Sequence, residues 1–201
     1  MKNTKRILAL VLSLAMMIGM IATVGAAGSN AWYMPAVSYI ENCGIDTIGT
    51  KDATPITRND FVYWVAKIMT RQLDDEAWNE SVLADLIVFN DVTDEHHRAA
   101  IANSYQRKYI RGDGNGNFYP DSIITLAEAA TVIVRMLGYE AFVTYDENNW
   151  EYSYIEYAAQ KGIIDEVFWA QTKTADPDYE LTYGEAAYLI ATVMNYTSTE
   201  N

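Results

Sequence analysis

The stretch Ile124-Thr125-Leu126-Ala127-Glu128 reads as the start of a helix. The Thr125 hydroxyl can accept a hydrogen bond from the backbone N–H three residues later, while the acid reaches back to the Thr125 N–H. The apolar residue before the threonine can pack on the first helical turn. Two further copies of this box are present, Ile56-Thr57-Arg58-Asn59-Asp60 and Leu181-Thr182-Tyr183-Gly184-Glu185. Each precedes an apolar helical segment, so the three boxes predict an internal repeat.

Each repeat is predicted to contain two helices joined by a turn-rich loop. In the first repeat a helix over residues 32–42 ends at Gly44, and the second helix runs from Thr57 to about Met69. The third repeat has Trp150, Ile155 and Gly162 at the same intervals as Trp32, Val37 and Gly44, and its second helix begins at Thr182. In the middle repeat a helix over 125–137 closes at Gly138. The predicted boundaries are 28–70, 89–139 and 150–201 for the repeats, with connectors at 71–88 and 140–149.

The N-terminal segment has the pattern of a secretory signal peptide. A basic start, Lys2, Lys5 and Arg6, precedes an apolar run over residues 7–24, and small residues follow. We expect cleavage after Ala26 or Ala27, which makes residues 1–27 the signal. The alternative is an uncleaved membrane anchor, because about 18 apolar residues is the lower limit for spanning a bilayer. Small residues where a cleavage site needs them favour export.

The charge of the chain argues against two classes of partner. The signal carries three of the 14 basic residues and none of the 27 acidic ones, so the mature chain has a formal net charge of −16. Nucleic-acid binding needs a basic face. Anionic membrane surfaces are disfavoured for the same reason. We therefore expect neither nucleic acid nor, after signal cleavage, membrane as a partner.

Few residues could bind a metal or a cofactor, and we expect the protein to bind neither. Cys43 is the only cysteine, so the chain can form no internal disulfide, and we expect it to be a small, buried apolar residue. One cysteine and the adjacent His96 and His97 do not give the ligand spacing of a structural zinc site. The acidic Asp74-Asp75-Glu76 segment is expected to be a solvated face.

The loop over residues 113–117 begins like a calcium-binding loop, Asp113-x-Asn115-x-Asn117, but does not continue as one. Phe118 occupies the position that requires glycine, and Ile124 the position of the bidentate glutamate. The loop also lacks the Gly-Lys-Ser/Thr ending of a phosphate-binding loop. It is therefore predicted to be a turn.

Taken together, the motifs of the middle repeat resemble an S-layer homology (SLH) domain. The pattern runs Phe89-x-Asp91-Val92, Ala100-Ile101, Tyr109-Ile110-Arg111-Gly112, Gly116-Asn117-Phe118-Tyr119-Pro120, Ile124-Thr125-x-Ala127-Glu128 and Leu137-Gly138-Tyr139. The first and third repeats are similar but more divergent, and the resemblance covers roughly residues 31–196. It implies a mainly α fold in which three helix–loop–helix repeats form a pseudo-threefold spindle with the second helices bundled at the centre.

The resemblance also implies a function. SLH triplets hold proteins on the bacterial cell surface by binding secondary cell-wall polysaccharide, often bearing ketal-linked pyruvate, in grooves between the repeats. The arginine of the family's I-T-R-A-E motif contacts the glycan. In this chain that position is Arg58, whereas the other two boxes have Leu126 and Tyr183. Because neither replacement is a cation, we expect one full groove, around Arg58, and two that are degenerate or adapted to stacking on sugars.

A pyruvyl carboxylate requires a fixed cation, and a guanidinium in the first turn of a helix supplies one beside backbone N–H groups. The family's helix-leading tryptophan matches Trp32 and Trp150, with His96 or His97 in the middle repeat. The alternative role of the two tryptophans is core packing, and that of Arg58 is a surface ion pair. Asp60, Glu128 and Glu185 are expected to cap helices. The residues predicted to bind glycan are Arg58, Trp32, Lys51, Asp91, Gly112, Gly116, Trp150 and Tyr183.

The sequence therefore predicts a secreted, non-enzymatic cell-wall module that binds secondary cell-wall polysaccharide and is monomeric with internal pseudo-threefold symmetry. Two alternatives stay open. One is a small secreted enzyme acting on wall glycans through carboxylates that the sequence does not identify. The other is a structural surface protein that has lost glycan binding. The chain ends soon after the last predicted helix, so either the module acts alone or the sequence is a fragment of a longer protein.

Overall fold

The computed structural model describes residues 32–45, 51–72, 85–86 and 88–197. The predicted signal peptide, the Asp74-Asp75-Glu76 segment and most of the 71–88 connector lie outside the described residues. Within those residues the protein is mainly helical, as predicted. No helix among them is both long and apolar enough to span a membrane.

Seven α-helices and one short 3-10 turn make up the described part of the chain. They are α1 (Met34–Asn42), α2 (Arg58–Gln72), α3 (Glu95–Gln106), α4 (Leu126–Met136), the 3-10 turn (Glu140–Phe142), α5 (Trp150–Gln160), α6 (Glu166–Thr172) and α7 (Tyr183–Thr197).

The helices begin where the three boxes predict. The Thr125 hydroxyl accepts from the Glu128 N–H, and the Thr125 N–H donates to the Glu128 carboxylate, which makes a reciprocal capping box. The box at Thr182 and Glu185 makes the same two bonds. At the remaining box, which begins the first repeat's second helix, the Asp60 N–H donates to the Thr57 hydroxyl. The bond to the threonine hydroxyl is therefore confirmed at all three boxes, and the return bond from the acid is confirmed at Thr125 and Thr182.

Two helix boundaries differ from the prediction, and one helix was not predicted. Helix α1 starts at Met34, two residues later than expected, because Pro35 is favoured in the first turn of a helix, where its missing N–H costs nothing. Helix α2 extends to Gln72, beyond Met69. Helix α6 was not predicted, although Asp165 caps it by accepting from the Phe168 N–H at 2.9 Å.

The residues that precede the three boxed threonines form a closed ring of hydrogen bonds. The Ile56 N–H donates to the Leu181 carbonyl at 2.9 Å, the Leu181 N–H to the Ile124 carbonyl at 3.1 Å, and the Ile124 N–H to the Ile56 carbonyl at 3.0 Å. All three side chains are at most 1% exposed. Short antiparallel bridges flank the ring and pair Pro55 with Thr182, Thr57 with Ile123, and Thr125 with Glu180. Each of the three boxes therefore donates one bond and accepts one within the ring. A pseudo-threefold arrangement of the whole molecule stays a prediction.

The helices pair across the repeat boundaries. Helix α2 of the first repeat packs against α3 of the second, α4 of the second against α5 of the third, and α7 of the third against α1 of the first. Helix α4 also contacts α2 and α7. Each repeat therefore supplies one helix to each of two neighbouring helix pairs, and the junctions between repeats lie close to the ring.

Candidate functional site

At two junctions between repeats, the first residue of a second helix contacts the capping acid of the next box. The Arg58 guanidinium reaches Glu128, with Nη1 2.7 Å from Oε1. The Tyr183 hydroxyl donates a short hydrogen bond to Asp60. The third junction has Leu126 in this position, where it is fully buried, and Glu185 instead accepts from the Tyr179 hydroxyl at 2.8 Å.

A cleft of about 700 Å³ lies at the Arg58 junction. Its walls come from α2, the loop over residues 110–124, α4, the segment over residues 140–145 and the start of α5. The charged lining residues are Arg58, Arg111, Asp113, Glu128, Arg135 and Glu140. The aromatic lining residues are Phe118, Tyr119, Tyr145, Trp150 and Tyr154. Three guanidinium groups therefore meet in one cleft of an acidic chain.

Arg58 is fixed on one wall of the cleft. Besides the pair with Glu128, its Nε donates to the Phe118 carbonyl at 3.0 Å, and its guanidinium carbon lies 4.7 Å from the centre of the Phe118 ring. The side chain is 17% exposed. A guanidinium has five N–H donors, so these contacts orient the group and leave donors for a ligand oxygen.

A second charged cluster, centred on Glu140, lines the same cleft. Glu140 Oε1 accepts from Arg135 Nε at 2.9 Å, from Arg111 Nη2 at 3.0 Å and from the Tyr154 hydroxyl at 3.0 Å. Partial burial raises the pKa of Glu140, but the hydrogen bonds and charges of Arg135, Tyr154 and Arg111 outweigh burial and leave that pKa below its ordinary value. Glu140 therefore stays ionised at neutral pH.

The two arginines of this cluster differ in accessibility. The Arg135 side chain is 12% exposed and packs over the Tyr154 ring, with its guanidinium carbon 5.4 Å from the ring centre. The Arg111 side chain is 63% exposed. Arg111 is therefore the guanidinium of the cleft that solvent and ligands reach most easily.

Open aromatic rings line the cleft beside these charges. Tyr145 and Tyr119 are 58% and 51% exposed. Trp150, the first residue of α5, is half-buried. Aromatic faces with polar edges suit the apolar faces of sugar rings, because they offer dispersion contact and a hydrogen-bonding group together.

The loop between α3 and α4 is shaped by two aspartates and two glycines. The Asp91 carboxylate accepts from the Phe118 N–H at 2.9 Å and from the Tyr119 N–H at 2.7 Å. Asp113 accepts from the Asn115 and Asn117 N–H groups and from the Tyr119 hydroxyl. A Cβ on Gly112 would lie 2.5 Å from the Asn117 carbonyl oxygen, so the loop closes too tightly there for a side chain. Gly116 has a φ of 92°, a backbone conformation that favours glycine.

The predicted site residues fall into three groups. Arg58, Gly112 and Trp150 line the cleft. Asp91 and Gly116 hold the loop from behind, since a Cβ on Gly116 would lie 2.8 Å from the Asn90 side chain. The remaining three, Lys51, Trp32 and Tyr183, do not line this cleft.

Those three residues have other surroundings. Trp32 belongs to an aromatic cluster, 4.8 Å from Tyr188 and 6.0 Å from Phe168 between ring centres. Tyr183 is tied to Asp60 and packs on Trp64. Lys51 is exposed. A glycan-binding role for these three residues stays a prediction.

The sequence predicts that backbone N–H groups beside Arg58 help to bind an anion, and this prediction is wrong. The N-termini of α2, α4 and α7 are not open to an anion. The first two N–H groups of α2, on Arg58 and Asn59, donate to the carbonyls of Ser122 and Pro120 at 2.9 and 3.1 Å. The third N–H, on Asp60, is taken by the capping threonine. The helices α4 and α7 make the equivalent bonds to Tyr179 and Pro177, and to Thr54 and Asp52. The neighbouring repeat therefore uses the backbone donors, and a ligand anion must be bound by side chains.

Sequence reasoning missed Arg111, Arg135, Glu140, Tyr119 and Tyr145 as site residues. A helical stripe was available as a signal for one of them, because Glu128, Thr131 and Arg135 recur on one face of α4 and all line the cleft. Arg111 stood inside a quoted motif without being assigned a role.

Cys43 is half-buried, not fully buried as expected. Among the described residues, no group of three His, Cys, Asp or Glu side chains is arranged to hold a metal ion.

Comparisons with known proteins agree with the resemblance drawn from the motifs. Residues 88–130, which include the loop and the start of α4, match the model of the S-layer homology domain. A protein named "Cell surface protein" from Thermoanaerobacter kivui is 28% identical over 177 residues, which cover 82% of this chain and 22% of that protein. A "Surface-layer 125 kDa protein" from Lysinibacillus sphaericus is 33% identical over 112 residues, 53% of this chain and 9% of that protein.

The SLH resemblance is thereby confirmed for residues 88–130, while three tandem SLH repeats stay a prediction. The chain spans less than a quarter of the length of either of these relatives. The matched domain and the two surface-protein names support a location at the cell surface.

Proposed function

We propose that this chain attaches non-covalently to the bacterial cell wall by binding an acidic secondary cell-wall polysaccharide in the cleft at the Arg58 junction. The observation that best supports this proposal is that three guanidinium groups line one cleft of a chain with 27 acidic and only 14 basic residues. Because these three guanidinium groups balance the three carboxylates of the lining, the cleft is less negative than the chain as a whole and favours the approach of an anionic ligand.

The chemistry of the cleft suits a carboxylate-bearing sugar, and ketal-linked pyruvate is the substituent we propose. A guanidinium recognises a carboxylate through two parallel N–H donors, and Arg58 and Arg111 are placed on different walls to do so. The exposed rings of Tyr119 and Tyr145 offer faces on which sugar rings can stack. The loop held by Asp91 fixes the distance between these elements.

We further propose that the protein is exported, is monomeric and acts without catalysis. Carboxylates are present in the cleft, but Glu128 and Glu140 are both paired with arginines. Despite partial burial, the hydrogen bonds and charges of Arg135, Tyr154 and Arg111 lower the pKa of Glu140, and a carboxylate held ionised does not suit the general acid that glycoside hydrolysis needs. This pairing favours a binding role over the enzymatic alternative.

The test is a pull-down of the full chain with purified cell-wall sacculi, carried out before and after removal of pyruvate from the wall polysaccharide. Arg58→Ala is compared with Arg107→Ala, a matched control. Arg107 lies just after α3, outside the cleft lining, and like Arg58 uses its Nε in a hydrogen bond, here to Asn103 at 3.2 Å.

We expect wild type and Arg107→Ala to bind pyruvylated sacculi and Arg58→Ala to lose most of the binding. Binding that ignores both pyruvate and Arg58 would overturn the proposal. Release of soluble glycan fragments would support an enzyme instead. A folded chain that binds no sacculi would support the structural alternative.

A further inference from the structure

Glu140 already occupies a carboxylate-binding arrangement inside the cleft. One carboxylate oxygen, Oε1, receives three donors, from Arg111 Nη2, Arg135 Nε and the Tyr154 hydroxyl, all at 2.9–3.0 Å. Two guanidinium groups and one hydroxyl converging on a carboxylate are what binding of an acidic ligand requires. The protein itself fills this position with its own side chain.

Two of the three donors are held independently of Glu140. Arg135 packs over the Tyr154 ring and its Nη2 lies 3.4 Å from the Tyr154 hydroxyl. Tyr154 is a buried residue of α5. The backbone of Arg111 belongs to the loop that Asp91 and Asp113 shape, while its exposed side chain contacts Glu140. If the Glu140 carboxylate left, Arg135 and Tyr154 would keep their places, and Arg111 would be free to follow the incoming carboxylate.

The segment that carries Glu140 is weakly attached in comparison. It is a three-residue 3-10 turn with no buried residue, and Phe142 in it is 69% exposed. The backbone bonds of Glu140–Phe142 run only to the adjacent Tyr139 and Val143, although Tyr139 itself donates to the Val134 carbonyl of α4 at 3.0 Å. Segments with few buried apolar contacts open locally at low free-energy cost. Displacing Glu140 therefore disturbs little of the core.

We infer that Arg111, Arg135 and Tyr154 form a carboxylate subsite in which Glu140 is a resident competitor, and that an acidic sugar substituent binds there by replacing the Glu140 carboxylate. This inference rests on the proposed function and adds to it a group of residues that selects acidic over neutral sugars. The competitor sets a threshold, because only a ligand carboxylate that makes better bonds than Glu140 displaces it. A neutral sugar gains nothing from these donors.

The test compares Glu140→Gln with wild type by titration calorimetry, using the full chain and wall polysaccharide before and after removal of pyruvate. Glu147→Gln is the matched control, because Glu147 is an exposed acid a few residues later that does not line the cleft. The control removes the same charge and therefore corrects for long-range repulsion of an anionic ligand.

We expect Glu140→Gln to bind pyruvylated polysaccharide at least about tenfold more tightly than wild type, because a neutral amide competes less well than a carboxylate for these charged donors. The affinity of Glu147→Gln should stay within about twofold of the wild-type affinity, because the solvent screens an exposed surface charge and its effect on binding is small. Binding of the pyruvate-free polysaccharide should not change in either variant. Equal or weaker binding by a folded Glu140→Gln variant would overturn the inference while leaving wild-type wall binding intact.

Arg111→Gln keeps the inference testable if Glu140→Gln does not fold, because Arg111 is 63% exposed and its loss should not disturb packing. We expect this variant to lose at least about tenfold of the preference for pyruvylated over pyruvate-free polysaccharide. An unchanged preference would overturn the inference. Failure of wild type and every variant to bind either polysaccharide would overturn the proposed function as well.

Discussion

The Arg58 guanidinium lies 2.7 Å from the Glu128 carboxylate, so the first turn of α2 is tied to the first turn of α4. The contact joins the first repeat to the second. It also sets the width of the cleft, because the same arginine touches the Phe118 ring and carbonyl on the loop. The junctions that have Tyr183 or Leu126 in the Arg58 position are bound by different contacts.

We expect Arg58 and Glu128 to be energetically coupled. Arg58→Ala should lower the free energy of unfolding by about 1–3 kcal/mol, because it removes a charged hydrogen bond and leaves the Phe118 carbonyl without its donor. Glu128→Gln should cost less, because glutamine can still accept a bond. Urea denaturation of both single variants and the double variant gives the coupling energy, which we expect to exceed about 0.5 kcal/mol. Strict additivity would show that the pair contributes nothing to stability.

The closed ring of backbone bonds should be the most protected part of the molecule. The amides of Ile56, Ile124 and Leu181 donate within the ring, and their side chains are buried. We expect these three amide protons to exchange with solvent only on global unfolding, with one common free energy of opening. Hydrogen exchange followed by NMR measures this quantity residue by residue. Three unequal free energies of opening would mean that the repeats open separately.

Two glycines should respond differently to substitution by alanine. A Cβ on Gly112 would meet the Asn117 carbonyl oxygen and the Phe89 ring, both at 2.5 Å, whereas a Cβ on Gly44 would meet nothing within 4 Å. Gly44 has a φ of 78°, so its substitution carries only the left-handed backbone penalty of about 1–2 kcal/mol. We expect Gly112→Ala to cost more, about 3 kcal/mol or above, through overpacking. Thermal unfolding of the two variants under identical conditions makes the comparison. A smaller loss for Gly112→Ala would show that the loop can shift.

His97 should make stability depend on pH. Its Nε2 lies 3.2 Å from Asp60, and its Nδ1 makes a short hydrogen bond to Asp94. The bond to Asp60 raises the pKa of His97 above its ordinary value in spite of burial. The bond to His97 lowers the pKa of Asp60, burial opposes this, and the bond from Tyr183 lowers it further.

The two shifts act at opposite ends of the pH range. The raised His97 pKa contributes stability that is complete below the ordinary value of 6.5 and is lost as pH rises through the folded-state pKa. The lowered Asp60 pKa contributes stability present above 3.8 that is lost as pH falls through the folded-state value. We expect the difference in unfolding free energy between wild type and His97→Gln to be largest between these pH values. Urea denaturation across the range measures it, and a difference that is constant with pH would contradict the assignment.

The local features of this fold could be predicted from sequence because they depend on residues close together in the chain. Thr125 and Glu128 are three residues apart, so one helical turn brings their groups together whatever the rest of the molecule does. The same reasoning found the starts of α2, α4 and α7. Helix α6 was missed because its seven residues are too few to show a helical period, although Asp165 is a favoured capping residue.

The candidate site depended on contacts that no local rule supplies. Arg111 and Glu140 are 29 residues apart, and Arg58 and the Phe118 carbonyl 60, so only the packing of the repeats brings them together. The sequence by itself determined where α2, α4 and α7 begin, that the capping box occurs three times, and that of the three boxes only the first has arginine directly after its threonine, at Arg58. The tertiary structure decided which walls face one another, that the helix N-termini are used by neighbouring repeats, and that Glu140 lies among the arginines. The physical reason is that capping free energy is set within one turn, whereas the cleft exists only after the ring has closed and distant segments share one core.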